Sequence, residues 1–324
     1  MSVQFYLPEA HLPSKENRAA WMEGGDLVLE EGGKSAASQS WIYKTWIALS
    51  KKGCLTELVH NFPESGVVFA LSGTIPTRFW APEGMLLVDV VADGLPHAAA
   101  HVHIVQNAAH ARRMPCSIFM PHWPQPGLQV RDPQRGAKCE RVAFFGTRDN
   151  LAPELQDASW QEELKRRTGI LFEIRGAGRW HDYRNVDAVV AIRDFTGGKQ
   201  IHKPATKLYN AWLAEVPFIG GTDSAYAADG SAGQDYLVAR GPAEVVRHLE
   251  LLARDQVLRN SLVEEGRKKA VVFNAESTAC RWQKLVELEI PSLARSRATR
   301  PRWIRACEDF CRLGVCEIDR IFRS

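Results

Sequence analysis

Residues 187–226 read DAVVAIRDFTGGKQIHKPATKLYNAWLAEVPFIGGTDSAY, and this stretch decides the fold. It opens with an almost purely apolar strand (186–192). A polar loop carrying Arg193 follows, then a helix entered at Pro204 and running to about Ala214. A short strand (216–219) and the pair Gly220 and Gly221 close it. A strand without polar alternation is buried on both faces, as in a parallel sheet covered by helices. In such sheets the loops beyond the carboxyl ends of the strands form the ligand crevice. Arg193 lies just past one carboxyl end, and Lys203 and Lys207 flank the next helix start. Free N–H groups and the positive end of the helix dipole attract anions there. These cations predict a phosphate or diphosphate ligand. Lys207 and Asn210, three apart, share one helix face, and Leu208 and Trp212, four apart, form another that packs on the sheet.

The same texture extends in both directions. A length of 324 residues suggests about two domains, at roughly 150 residues each. Strand-length apolar runs stand at 3–7, 66–71, 85–91 and 101–105, with a helical pattern at 41–50. Residues 121–137 begin with a cluster of prolines and read as a semi-rigid connector. Alternation then restarts with a strand at 141–145 ending in Gly146. Ser159 and Glu162 have capping-box spacing, which starts a helix near Trp160 that stops at Gly169. A strand at 170–174 follows. Pro242 opens a helix to 252, a second spans 256–271, and a third spans 276–287 before Pro291 stops it. The expectation is an α/β fold with two Rossmann-like doubly wound domains facing a cleft, over 1–120 and 138–275. A helical tail, 276–324, crosses back to the N-terminal domain.

Composition narrows the function classes. Hydrophobic residues are 45% and charged residues 24%, which excludes a disordered chain, a collagen-like fibre and a coiled coil. No apolar run approaches the ~18 residues of a membrane span. A net charge of +3 gives no global basic field, so no nucleic-acid partner is expected. The first residues, MSVQFYLPEA, lack the basic start and apolar core of a signal peptide. The seven scattered cysteines fit reduced thiols in the cytoplasm.

The segment KPATKLYNAWLAEVPFI (203–219) resembles the nucleotide-sugar segment of GT-B glycosyltransferases. Many of those carry Lys-Leu-Tyr-Glu-Tyr-Leu-Ala-x-Gly-x-Pro-Val-Ile on this helix and strand. Lys207 to Ala214 occupy the first eight places, and Pro217, Phe218 and Ile219 close the match. The wider resemblance covers about 140–290. It implies a donor site built from Gly146, Arg148, Arg193, His202, Lys203, Lys207, Asn210, Ser224 and Tyr226, with Asp223 orienting the loop. Arg148, Arg193, Lys203 and Lys207 would neutralise the leaving diphosphate, while Asn210 and the 224–226 loop hold the nucleoside. No Asp-x-Asp motif is present. The resemblance therefore implies no metal and no cofactor, the nucleotide sugar being a substrate. The sequence departs from the retaining Glu-x7-Glu pattern at His202 and Asn210, and Glu215 replaces the usual glycine. These changes lean towards inverting chemistry.

An inverting transfer needs a base for the acceptor proton. In the resemblance it comes from the loop after the first strand, here 9–40, which offers His11 and Glu31. Gly33, Gln106, Asn107 and Gln125 are the acceptor and cleft candidates. His97, His101, His103 and His110 cluster without a carboxylate or cysteine to complete a metal set. In 295–324, Arg302, Arg305 and Arg312 interleave with Trp303, Ile304, Phe310 and Leu313, a pattern suited to peripheral contact with an anionic membrane. The implied partners are a nucleotide-sugar donor and a saccharide or lipid-linked acceptor, at a cytoplasmic location that includes the inner membrane face. Bacterial surface polysaccharide or glycoconjugate synthesis is the setting that the resemblance suggests. Rival readings are a sugar-nucleotide epimerase on the same fold and a non-catalytic, membrane-docked subunit of an assembly complex.

Overall fold

A computed structural model describes residues 2–22, 33–176, 178–301, 303–305, 307, 308, 310, 311, 314 and 316. They divide into two compact units, Met1–Trp123 with Ala275–Ser324 (unit 1) and Pro124–Asn274 (unit 2).

Unit 1 is built on six strands, β1 (Val3–Tyr6), β2 (Glu57–Val59), β3 (Gly66–Leu71), β4 (Met85–Val90), β5 (Val102–Val105) and β6 (Ser117–Phe119). Their order is β2-β1-β3-β4-β5-β6, with every pairing parallel. β3 and β4 are buried along their whole length; β3 is apolar throughout and β4 is apolar except for Asp89. Phe5 and Phe69 are register partners on neighbouring strands, and their rings stack at 4.8 Å. The loop predicted for 9–40 is partly helical. It holds α1 (Lys15–Met22) and α2 (Gly33–Ser38), and α2 continues through a π-helical turn, Gln39–Tyr43, into α3 (Lys44–Lys51). A short helix, α4 (Ala108–Ala111), follows β5.

Unit 2 has five strands, β7 (Arg141–Phe145), β8 (Leu171–Arg175), β9 (Ala188–Ala191), β10 (Phe218–Gly220) and β11 (Leu237–Val238), in the parallel order β11-β10-β9-β7-β8. Its helices are α5 (Pro153–Gln156), α6 (Ala158–Thr168), α7 (Thr206–Leu213), α8 (Ser224–Asp229), α9 (Pro242–Arg254) and α10 (Gln256–Phe273). The capping box predicted at Ser159 is displaced. Asp157 caps α6, its carboxylate accepting from the Ser159 N–H at 2.7 Å, and Gly169 closes the helix at φ 74°. As the spacing predicts, α7 buries Leu208 and Trp212. The Trp212 indole N–H donates to the Asp235 carbonyl at 3.2 Å.

The chain then returns to unit 1 with α11 (Ala275–Lys284) and α12 (Ile290–Thr299). Pro291 does not stop this helix. A π-helical turn, Leu285–Glu289, joins α11 to α12. The wider turn makes room where the proline ring meets the carbonyl of Glu287 and the missing N–H leaves a bond unmade. Trp282, Leu285, Val286 and Ile290 from this helix enter the same core as Phe5, Phe69 and Trp41.

Candidate functional site

The carboxyl ends of β7, β9 and β10 carry most of the predicted donor residues. β7 runs into Gly146, whose φ of +151° suits glycine alone. A Cβ there would lie 3.0 Å from the Phe144 ring and 3.3 Å from Cε of Lys207. The absent side chain lets Lys207, on α7, cross the strand end. Its ammonium sits 5.3 Å from the centre of the Phe144 ring, a cation–π contact that holds the charge over the turn.

β9 leads to Arg193, which is ion-paired with Asp223 at the start of α8. Asp223 is buried. Burial pushes its carboxyl above the ordinary range, while Arg193 and Lys207 pull the other way. Tyr226 is also buried. Burial raises its hydroxyl, with Arg193 opposing through charge and a hydrogen bond. A Cβ on Gly220 would come within 2.9 Å of the rings of Phe218 and Tyr226. The glycine at the end of β10 thus admits Tyr226 against the strand. Ser224 N–H donates to the Lys199 carbonyl at 2.8 Å, tying α8 to the loop after Arg193. That loop is pinned by Asp194, which accepts from Thr196 N–H at 3.0 Å and from Gln200 Nε2 at 2.9 Å. The Thr196 hydroxyl, with Gln200, holds the Asp194 carboxyl below its ordinary range against the cost of burial. Asp194 and Gln200 were not among the predicted residues. The Asp-Phe-Thr spacing of an Asx turn is the signal that marks them.

The structure thus brings Arg193, Lys207 and Tyr226 together around Asp223, with Gly146 against Lys207 and Ser224 adjacent. His202 and Lys203 are half-buried in the turn before α7, where Lys203 N–H donates to the Gln200 carbonyl at 2.9 Å. Arg148 is exposed in a 3-10 turn, Arg148–Asn150. Asn210 is buried, and its Oδ1 accepts from the Gln125 N–H at 2.9 Å. This bond joins two predicted residues and anchors the first residues of unit 2 to α7.

In unit 1, His11 closes a 3-10 turn, Glu9–His11, with Nδ1 2.9 Å from the Ser38 hydroxyl. Gly33 begins α2, and Glu31 lies outside the described residues. Gln106 is buried and donates to Asp93. Asn107 caps α4, accepting from Ala109 N–H at 2.8 Å. His101 precedes β5, and its Nδ1 accepts from Leu87 N–H at 2.9 Å. His103 Nδ1 is 3.1 Å from Asp89. Among the described residues no three His, Cys, Asp or Glu side chains are placed to hold a metal ion.

No protein-family model matches the chain, and no curated protein matches it in sequence. Solved structures do match. AviGT4, a glycosyltransferase involved in avilamycin A biosynthesis, is similar with a TM-score of 0.56 at 15% identity, over 88% of this chain and 98% of its own. Sucrose-phosphate synthase from Thermosynechococcus elongatus gives 0.51 at 11%, over 80% of this chain and 79% of its own. TarM gives 0.51 at 9% over 78% of this chain, which spans about 60% of TarM's length. All three are GT-B glycosyltransferases. The chain has the GT-B fold. In GT-B terms, unit 2 is the half whose segment 203–219 carries the resemblance, and the Arg193–Asp223–Lys207 cluster lies at its strand ends. Among the described residues of this GT-B chain, no helix is long and apolar enough to cross a membrane.

Proposed function

We propose that this protein is a glycosyltransferase that holds a nucleotide-sugar donor at the strand ends of unit 2 and passes the sugar to a hydroxyl of a saccharide acceptor, free or lipid-linked. The observation that carries the reading is the meeting of Arg193 and Lys207 at glycine-ended strands around one buried carboxylate. Fixed cations stabilise a leaving diphosphate in the transition state without reorganising. They supply the charge that a metal ion would otherwise bring, so the transfer is metal-independent. Asp223 orients Arg193 through their ion pair. A uridine nucleotide is the first donor to test. A TarM variant from S. aureus and the pneumococcal O-GlcNAc transferase GtfA were each captured with UDP, at TM-scores of 0.50.

Calorimetric titration of the full chain with UDP tests this. Binding is expected, and Arg193→Ala or Lys207→Ala should each weaken it by about 10- to 150-fold, the effect of losing a charge-assisted hydrogen bond worth ~1.5–3 kcal/mol. Unchanged affinity in both folded variants would sink the site assignment.

The exposed Trp303 and Phe310, set in an arginine-rich tail, support peripheral contact with an anionic membrane at the cytoplasmic face and a role in surface glycoconjugate synthesis. Co-sedimentation with phosphatidylglycerol vesicles should fall when both are changed to Ser. Equal sedimentation of the variant would remove the membrane part of the reading.

A further inference from the structure

We propose that unit 1 carries a preformed pocket for a saccharide ring bearing a carboxylate, read by Arg78 and Trp80 at the carboxyl ends of β3 and β4. The loops after these strands line an open cavity of about 720 Å³, within the size range of small-ligand sites. Its floor is fixed by Asp89, which is fully buried in β4. Asp89 accepts from the Ser72 hydroxyl, from His97 N–H at 2.7 Å and from His103 at 3.1 Å. The His97 ring ties the two loops together. Its Nδ1 accepts from Ala99 N–H at 3.3 Å, so its Nε2 carries the proton and donates to the Pro76 carbonyl at 3.1 Å. A site held this way loses little entropy when it binds.

Two side chains on the rim, Arg78 and Trp80, make no ion pair and no ring stacking among the described residues. Trp80 is 66% exposed, a large apolar surface left in water with an N–H handle. Arg78 is exposed and has no ion pair among the described residues. The nearby acids are already engaged: Glu83 pairs with Arg305 at 3.0 Å, Asp93 takes Gln106, and Asp89 is filled by its three donors. An indole covers the apolar C–H face of a pyranose ring. A guanidinium matches a planar carboxylate through two parallel N–H bonds. Together they select a uronic acid over a neutral sugar. The inference depends on the transferase reading only in making the bound saccharide the acceptor, and the binding itself does not.

The test is calorimetry on the full chain with trigalacturonic acid and with its methyl ester, which removes the charge and keeps the rings. The acid is expected to bind at least about tenfold more tightly than the ester. Arg78→Gln should abolish that preference, and Trp80→Ala should weaken both ligands by about tenfold. UDP affinity should be unchanged in both variants, and a near-ultraviolet circular dichroism spectrum matching the parent chain reports that unit 1 is folded in each. Failure of the acid to bind, or a preference that survives in Arg78→Gln, would overturn the proposal. A chain that binds the acid but not UDP keeps the pocket and removes the transferase reading; one that binds UDP but not the acid does the reverse.

Discussion

In unit 1, Asp89 sits inside β4 and takes its hydrogen bonds from a serine hydroxyl, a backbone N–H and an imidazole. In unit 2, Asp187 stands just before β9 and takes Arg131 at 2.9 Å, Arg135 at 2.6 Å, and the N–H groups of Glu140 and Arg141 at 2.9 and 3.0 Å. Both carboxylates are buried. One organises a hydroxyl, a backbone N–H and an imidazole beneath a pocket, and the other takes two arginines at the amino ends of its sheet. In the readings proposed above, the difference separates a surface for a diphosphate from one for a sugar ring.

Replacing each aspartate by asparagine sharpens the comparison. Every group facing Asp187 is a donor, so an amide N–H there meets donors and leaves two arginines unpaired. Asp187→Asn should cost about 3–5 kcal/mol in urea denaturation. Asp89→Asn should cost only about 1 kcal/mol, because the Ser72 hydroxyl can rotate to accept from the new amide. Equal costs would break the comparison.

A smaller effect is expected in the pH dependence. Burial opposes ionisation of Asp187, but Arg135, the two backbone N–H groups and Arg131 outweigh it and hold its carboxyl below the ordinary value. Its contribution is therefore present above the unfolded value of about 3.9 and lost as pH falls through the folded one. Asp223 is shifted upward by burial, so its contribution is present below about pH 3.9 and lost as pH rises through its folded value. Stability curves below pH 5 should be shallower for Asp187→Asn than for the parent chain. Asp223→Asn should give a small gain near pH 7. Parallel curves for all three proteins would show that neither carboxylate is coupled to folding.

What could be read from the sequence follows burial. The strands β3 and β9 are unbroken apolar runs, and β4 and β7 are apolar but for Asp89 and Arg141, because both faces are covered. The strands missed, β2, β6 and β11, all lie at sheet edges. They have two or three residues each and no long apolar signature. The cations of the site were legible because strand, loop and helix follow one another in 187–226. The pairing of Arg193 with Asp223 and the Gln125–Asn210 bond were not, since contacts across 30 and 85 residues leave no periodic trace. Pro291 misled for a local reason: the rule that proline ends a helix assumes α geometry, and a π-helical turn lifts it.

The return of the chain to unit 1 sets an order of assembly. Synthesis proceeds from the amino end, and a core closes only when its last contributor has emerged. Unit 2 is complete at Asn274. Unit 1, although it begins first, waits for Trp282, Leu285 and Ile290 to cover Phe5 and Phe69. The half of the protein made earliest is therefore the half finished last, and its apolar sheet face stays uncovered on the ribosome while the whole of unit 2 is being translated.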